Sequence, residues 1–391
     1  MSFLRCNMPA GSLSTSRPAV PPGSAAAPLT RARNAAIDHV RIVLTILVIL
    51  HHAAITYGGS GGWYWREQPN ASSLVLLMFN AVNQSYFMGF FFLLAGYYTP
   101  GAYDRKGPAR FLGERLVRLG IPLLVFFFLL NPLTIALART SEGHPFWNGW
   151  WHMISLREWG PGPLWFAEAL LLFALAYVGW RAFARPGAGE AKALPGFGRL
   201  AFFALTLGMI SFVVRLWIPV GQTVLSLQLG YFPCYIFLFA AGCAVSRARL
   251  LETVTRREIQ PWLIVSALAL LTLPLVLLFR QGRGAFEGGW NLNALYYALW
   301  DPLVAWGVIL GLLCFARNVL NRPTPLTSWL AANAYGAFVL HAPVLVACSV
   351  FARSWTLPPL PKFLLVAAVA SALSFAAGAL LRAIPGVRRV L

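Results

Sequence analysis

The stretch IDHVRIVLTILVILHH, residues 37–52, decides the fold. Between Arg41 and His51 it runs IVLTILVIL without a charge, and the apolar character extends over about 36–57. At 1.5 Å per helical residue such a run is about long enough to cross a ~30 Å hydrocarbon core. Comparable runs follow at 74–98, 112–138, 163–183, 200–220, 227–246, 261–279, 293–316, 327–350 and 362–384. A helix bonds its own backbone, whereas an open strand edge in lipid finds no partner, so the runs predict helices. The predicted fold class is therefore an all-α integral membrane protein, a polytopic bundle of about ten transmembrane helices over residues 35–391. Composition agrees: 58% of the 391 residues are apolar, 11% are charged and mean hydropathy is +0.66. A water-facing domain carries roughly a quarter charged residues, too many for this chain to imitate.

Residues 1–34 are rich in Pro, Ala, Ser and Gly and contain no apolar core for a signal peptide, which predicts a disordered cytoplasmic tail. The formal charge of +19 lies in short clusters between the apolar runs rather than in an aromatic-interleaved patch, so it argues against a nucleic-acid partner. Loops containing Arg105, Lys106 and Arg110, then Arg181 and Lys192, then Arg247, Arg249, Arg256 and Arg257, then Arg317 and Arg322, alternate with loops poor in basic residues. Basic residues on the first side outnumber those on the other about three to one, which predicts both termini in the cytoplasm and membrane lipids as neighbours. The longest outer loop, 139–162, holds Trp147, Trp150, Trp151 and Trp159, a density suited to a membrane interface or to a sugar-stacking surface. The five cysteines form no CxxC pair and read as small packing residues, with no metal site indicated.

Charges inside hydrocarbon are costly, so the polar residues of the spans carry the functional signal. Arg41 and His52 stand eleven residues apart, close to three full turns, and share a helix face about 16 Å apart along the axis. His51 is rotated by about 80° from Arg41. Asp38, one turn before Arg41, can pair with it. The ninth run, AANAYGAFVLHAPV (331–344), brings His341 to a depth similar to that of His52. Asp301 in YYALWDPLVAW and Glu168 in GPLWFAEALL fall in the same half of the membrane. Arg41, Arg115 and Arg118 form a second level nearer the cytoplasm.

These residues resemble the acyltransferase-3 superfamily of integral membrane O-acyltransferases. DHVRIVLTILVILHH (38–52) is similar to its first helix, with the Arg-(ten residues)-His spacing falling on Arg41 and His52. MGFFFLLAGYYT (88–99) resembles the Phe-Phe-x-x-Ser-Gly-Tyr element, with Ala95 where Ser is usual. RFLGERLVRLGIPLL (110–124) is similar to the basic start of the third helix. PLWFAEALLLF (163–173) resembles the Leu-Trp-Phe element without the His that often precedes it, and WLAANAYGAFVLHAPVLV (329–346) the late Tyr…His element that holds Tyr335 and His341. That last element and WDPLVAWG (300–307) look most like the glucan-succinylation type.

The resemblance implies transfer of an acyl group, acetyl or succinyl, from cytoplasmic acyl-CoA to a hydroxyl of a periplasmic or cell-surface glycan or glycolipid. It implies no bound cofactor, acyl-CoA as co-substrate, and a bacterial inner membrane. The catalytic expectation falls on His52, Arg41 and His341, with His52 as general base or acyl carrier. Asp38, Glu168, Asp301 and Tyr335 are expected at the substrate, and Arg115 and Arg118 at the anionic donor. A secondary transporter or flippase is the rival reading, which an inverted repeat would favour; none is evident.

Overall fold

Leu74–Glu142 is one helical path of 69 residues in the computed structural model of the chain, which describes residues 34–67, 73–184, 191–279, 282 and 284–391. All but the last residue of the tail expected at 1–34 lies outside the described residues. At 1.5 Å per residue that path is about 100 Å long, far more than one membrane crossing. It breaks at Gly107, whose φ of 72° suits glycine and strains other residues, and Pro108 follows. The path thus contains two of the expected runs.

Beyond the break the helix widens twice, into π turns at Leu116–Gly120 and Phe126–Leu130. There the N–H of Ile121 bonds the Leu116 carbonyl, and that of Asn131 bonds the Phe126 carbonyl. Pro122 and Pro132 stand just after these turns. Proline offers no N–H and its ring crowds the carbonyl four residues back, which a wider turn relieves. For Pro122 that carbonyl is Arg118, and the Tyr335 hydroxyl donates to it at 2.8 Å.

In chain order the α-helices are α1 (Ala35–Thr56), α2 (Leu74–Arg115), α3 (Ile121–Val125), α4 (Asn131–Arg139), α5 (Phe146–Ser155), α6 (Trp165–Phe183), α7 (Phe197–Trp217), α8 (Phe232–Val245), α9 (Arg256–Phe279), α10 (Leu292–Val319), α11 (Pro325–Phe351) and α12 (Pro359–Ala383). Eight helical stretches among the described residues are long and apolar enough to cross a membrane, Leu74–Glu142 being one of them. The run expected at 227–246 forms only the shorter Leu229–Val245, begun by a 3-10 turn at Leu229–Tyr231 and then Pro233. The chain is a multi-pass helical bundle. In α1, α10 and α11 the apolar window is 61% buried, against 17% in α9, so the first three form the centre and α9 the rim. Ile264, Leu268, Leu271 and Leu275 face outward from α9, as a lipid-contacting surface requires. The tryptophan-rich loop forms the short α5, which exposes Trp147 and Trp151 and buries Met153.

Small residues set the closest helix crossings, as they do where lipid supplies no competing hydrophobic force. A Cβ on Gly242 of α8 would lie 2.1 Å from the Leu93 carbonyl oxygen of α2, and one on Gly96 would lie 2.1 Å from that of Phe239. Gly96 is the glycine before Tyr97 in the MGFFFLLAGYYT element, and packing accounts for that position. Gly242→Ala is expected to destabilise the fold by about 1–3 kcal/mol through forced separation of α2 and α8. Thermal unfolding in detergent checks this, with Gly179→Ala, whose added Cβ meets nothing within 4 Å, expected to lose no stability.

Candidate active site

Three histidine rings and a tryptophan ring gather where α1 meets α2 and α11. His51 turns toward α2, where Asn80, Asn83 and Phe87 lie on one helix face at intervals of three and four residues. The side-chain amides of Asn80 and Asn83 donate to His51 Nδ1 at 3.1 and 3.3 Å, and the ring stacks on Phe87 with centroids 4.9 Å apart. One residue on, about 100° further round the helix, His52 faces the other way. Its ring lies 5.4 Å from that of His341 on α11 and 3.9 Å from the indole of Trp63, nearly parallel to both. Trp63 and His341 are 6.1 Å apart, so the three centroids form a triangle rather than a row.

His341 is fully buried, and its Nδ1 lies 2.5 Å from the Phe338 carbonyl one turn earlier. That carbonyl can only accept, so Nδ1 carries the proton and Nε2 the lone pair. His341 Nε2 and His52 Nδ1 are both buried without a hydrogen-bond partner. Buried polar atoms are nearly always paired, so two unpartnered nitrogens on neighbouring rings mark a place where a substrate can complete the bonding. Two imidazoles side by side with unused nitrogens can accept and return a proton from a hydroxyl placed between them.

The other expected site residues are distributed unevenly around this pair. Arg41 stands on α1 about 16 Å below His52 along the axis, its side chain 41% exposed and 3.4 Å from Asp38. Tyr335, six residues before His341, is committed through its hydroxyl to the Arg118 carbonyl. Arg118 lines a cavity of about 600 Å³ with Arg110, Glu114 and Arg389. Glu114 there is bonded by Lys106 and Arg110, so its charge is already matched. Arg115 instead stacks over the ring of Phe111, with its guanidinium carbon 5.3 Å from the centroid. Glu168 has no hydrogen-bond or ion-pair partner among the described residues; Phe166, two positions earlier, packs on Phe338 beside His341.

Asp301 makes no contact with the histidines among the described residues. It accepts from Arg215 Nη2 at 2.6 Å, with both side chains almost wholly buried. Arg215 also donates through Nε to the Gly230 carbonyl at 3.0 Å and lies between the rings of Tyr231 and Tyr297, at 5.1 and 5.2 Å. Asp301 and Arg215 therefore tie α10 to α7 and to the turn before α8. Arg215, Trp63 and the Asn80–Asn83 pair were not singled out from the sequence. An arginine inside the apolar run 200–220 was the available signal for the first; nothing local marks Trp63.

The family model described as an acyltransferase domain matches residues 34–379, nearly the whole chain. The glucans biosynthesis protein C of Escherichia coli (strain K12) is 29% identical over 123 residues, 31% of this chain and 31% of the relative. Its counterpart in strain K12 / MC4100 / BW2952 matches to the same extent, so the matched segment spans less than a third of these curated relatives. No solved structure matches the chain. With the family model covering the histidine pair, the π-turned third run and the helices that hold them, the chain belongs to the acyltransferase-3 family.

Proposed function

We propose that the chain is a membrane O-acyltransferase that moves an acetyl or succinyl group from cytoplasmic acyl-CoA to a hydroxyl of a periplasmic or cell-surface glycan or glycolipid. The observation that carries this reading is the His52–His341 pair, in which each ring holds one buried nitrogen without a partner. The acceptor hydroxyl oxygen attacks the thioester carbonyl carbon while His52 takes its proton. The carbon–sulfur bond then breaks, the ester remains on the acceptor, and the proton passes to the CoA thiolate. His341, with Nδ1 held by Phe338, offers only its Nε2 lone pair and orients the hydroxyl.

The loop charges support an inner-membrane orientation with both termini cytoplasmic, which puts the cavity of Arg110, Arg118 and Arg389 on the donor side. Arginines suit phosphate because their planar fork binds two oxygens at once. The Tyr335–Arg118 bond brings this cavity's wall to the helix that carries His341, six residues or about 9 Å along the axis from the imidazole. Arg41 lies on the corresponding path along α1, and Arg115 borders the donor through its neighbour Arg118. Glu168 and Asp38 remain for the substrate, one at each end of that path.

The reading is tested by steady-state kinetics of the purified protein with acetyl-CoA and succinyl-CoA. Replacing Arg118 and Arg389 together by Ala is expected to raise KM for acyl-CoA about tenfold or more, since each charge-assisted bond contributes about 1.5–3 kcal/mol, while kcat changes little. An unchanged KM for acyl-CoA moves the donor elsewhere. A transporter would release no CoA in any variant.

A further inference from the structure

Lys362 stands near the start of α12, 1% exposed, in a place where an unpaired ammonium would be very costly. It is satisfied from two sides. The carboxylate of Glu67 forms a close ion pair with it, and the carbonyls of Trp355 and Arg353 accept from it at 2.9 and 3.4 Å. The carbonyls belong to the α11–α12 connection, whereas Glu67 lies in the segment that follows α1.

That segment is a closed loop. The Glu67 N–H bonds the Thr56 carbonyl at 3.0 Å, so the chain leaves α1 and returns to its last residue. Gly58 and Gly61, with φ of 121° and 127°, make the reversal possible. Arg66 donates to the Gly59 carbonyl at 2.6 Å across the loop, and the Tyr64 hydroxyl donates to Asn131 of α4 at 2.5 Å. Within this frame Trp63, four residues before Glu67, lays its indole on His52 at 3.9 Å and 15°. Trp63 packs against the buried apolar clusters of the bundle; the ties at Tyr64 and Glu67 follow it by one and four residues, and the one at Glu67 is an ion pair whose lysine is buried in the bundle.

We infer that Glu67 and Lys362 are positioning residues of the acyl-transfer site: by fixing the end of the 57–67 loop they hold Trp63 on His52 and set the plane of that imidazole. The inference rests on His52 as the proton-transfer group proposed above. Neither residue touches the reacting atoms. Their effect is on kcat and on the accessibility of one ring, with KM for acyl-CoA untouched because the basic cavity lies toward the opposite end of the bundle.

The test uses the full chain in detergent or reconstituted membranes. Lys362→Met alone strands a buried carboxylate and can fail to fold, so the decisive variant is Glu67→Gln with Lys362→Met, which removes both charges. Carbethoxylation of the histidines by diethyl pyrocarbonate, followed residue by residue by peptide mass spectrometry, gives a readout independent of activity. In the double variant, and in Trp63→Ala, His52 is expected to react severalfold faster, while His51, held by Asn80 and Asn83, reacts at its wild-type rate. In the same double variant kcat is expected to fall by on the order of 10- to 100-fold, as a displaced catalytic group predicts. A wild-type rate of His52 labelling in the double variant overturns the inference whatever the activity. If labelling rises, kcat holds and His52→Ala is inactive, the positioning role fails alone. If His52→Ala is itself active, the histidine reading beneath it fails.

Discussion

His52→Ala is expected to lose on the order of 10²–10⁴-fold in acyl transfer, the contribution of a positioned general base or nucleophile, while still inserting and folding. The effect follows from what the ring does in the structure. It makes no hydrogen bond through its buried Nδ1, and its ring contacts are the faces of Trp63 and His341 and an edge-on approach of His51. Removing it therefore breaks no polar pairing. His51→Ala is expected to behave in the opposite way. Its Nδ1 accepts from two buried asparagine amides, so its loss leaves donors unpaired and costs stability, about 1–3 kcal/mol per stranded group. Transfer per folded molecule should stay substantial. His341→Ala should be impaired as His52→Ala is. The comparison is made at equal folded amounts, by size exclusion and CoA release. An inactive His51→Ala beside an active His52→Ala would reverse the assignment of the two rings.

Asp301→Asn is expected to unfold the protein rather than to alter its chemistry. It leaves the Arg215 guanidinium buried between Tyr231 and Tyr297 without its counter-charge, and breaking one side of a buried pair costs about 3–5 kcal/mol. A membrane protein so weakened should lose yield and unfold at markedly lower temperature in detergent. Replacing both partners, Arg215→Met with Asp301→Leu, should recover most of that loss, because the desolvation cost of both charges disappears with them. A stable Asp301→Asn protein with a raised KM for the acceptor would instead return Asp301 to the substrate site, where its depth in the membrane first suggested it.

How much of this was legible in the sequence depends on how local each cause is. The run around IVLTILVIL announces its helix because apolar length alone decides it. The division of labour between His51 and His52 follows from helix phase, since adjacent residues differ by about 100° whatever surrounds them. Pro122 and Pro132 could have announced the two π turns, because a proline's missing N–H is a local fact. The 14-residue α8 was not legible: its run is apolar throughout, and its shortening comes from the Leu229–Tyr231 turn and the Arg215 anchor at Gly230. Nor was the partner of Asp301, which sits 86 residues away; depth in the membrane placed it beside the histidines, but rotation about α10 turned it to α7. Trp63 lies in a loop with no periodicity, and that loop is tied through Glu67 to Lys362, nearly three hundred residues later in the chain.

Acyl transfer by the His52–His341 pair is tested most directly by counting CoA released against ester formed. Purified protein is incubated with acetyl-CoA or succinyl-CoA and a glycan acceptor, free CoA is read by thiol titration, and acyl groups on the glycan are counted by mass spectrometry. One ester per CoA released is expected in the wild-type protein, and neither product above background in His52→Ala. A wild-type protein that moves glycan across a vesicle membrane while releasing no CoA would contradict the transferase reading.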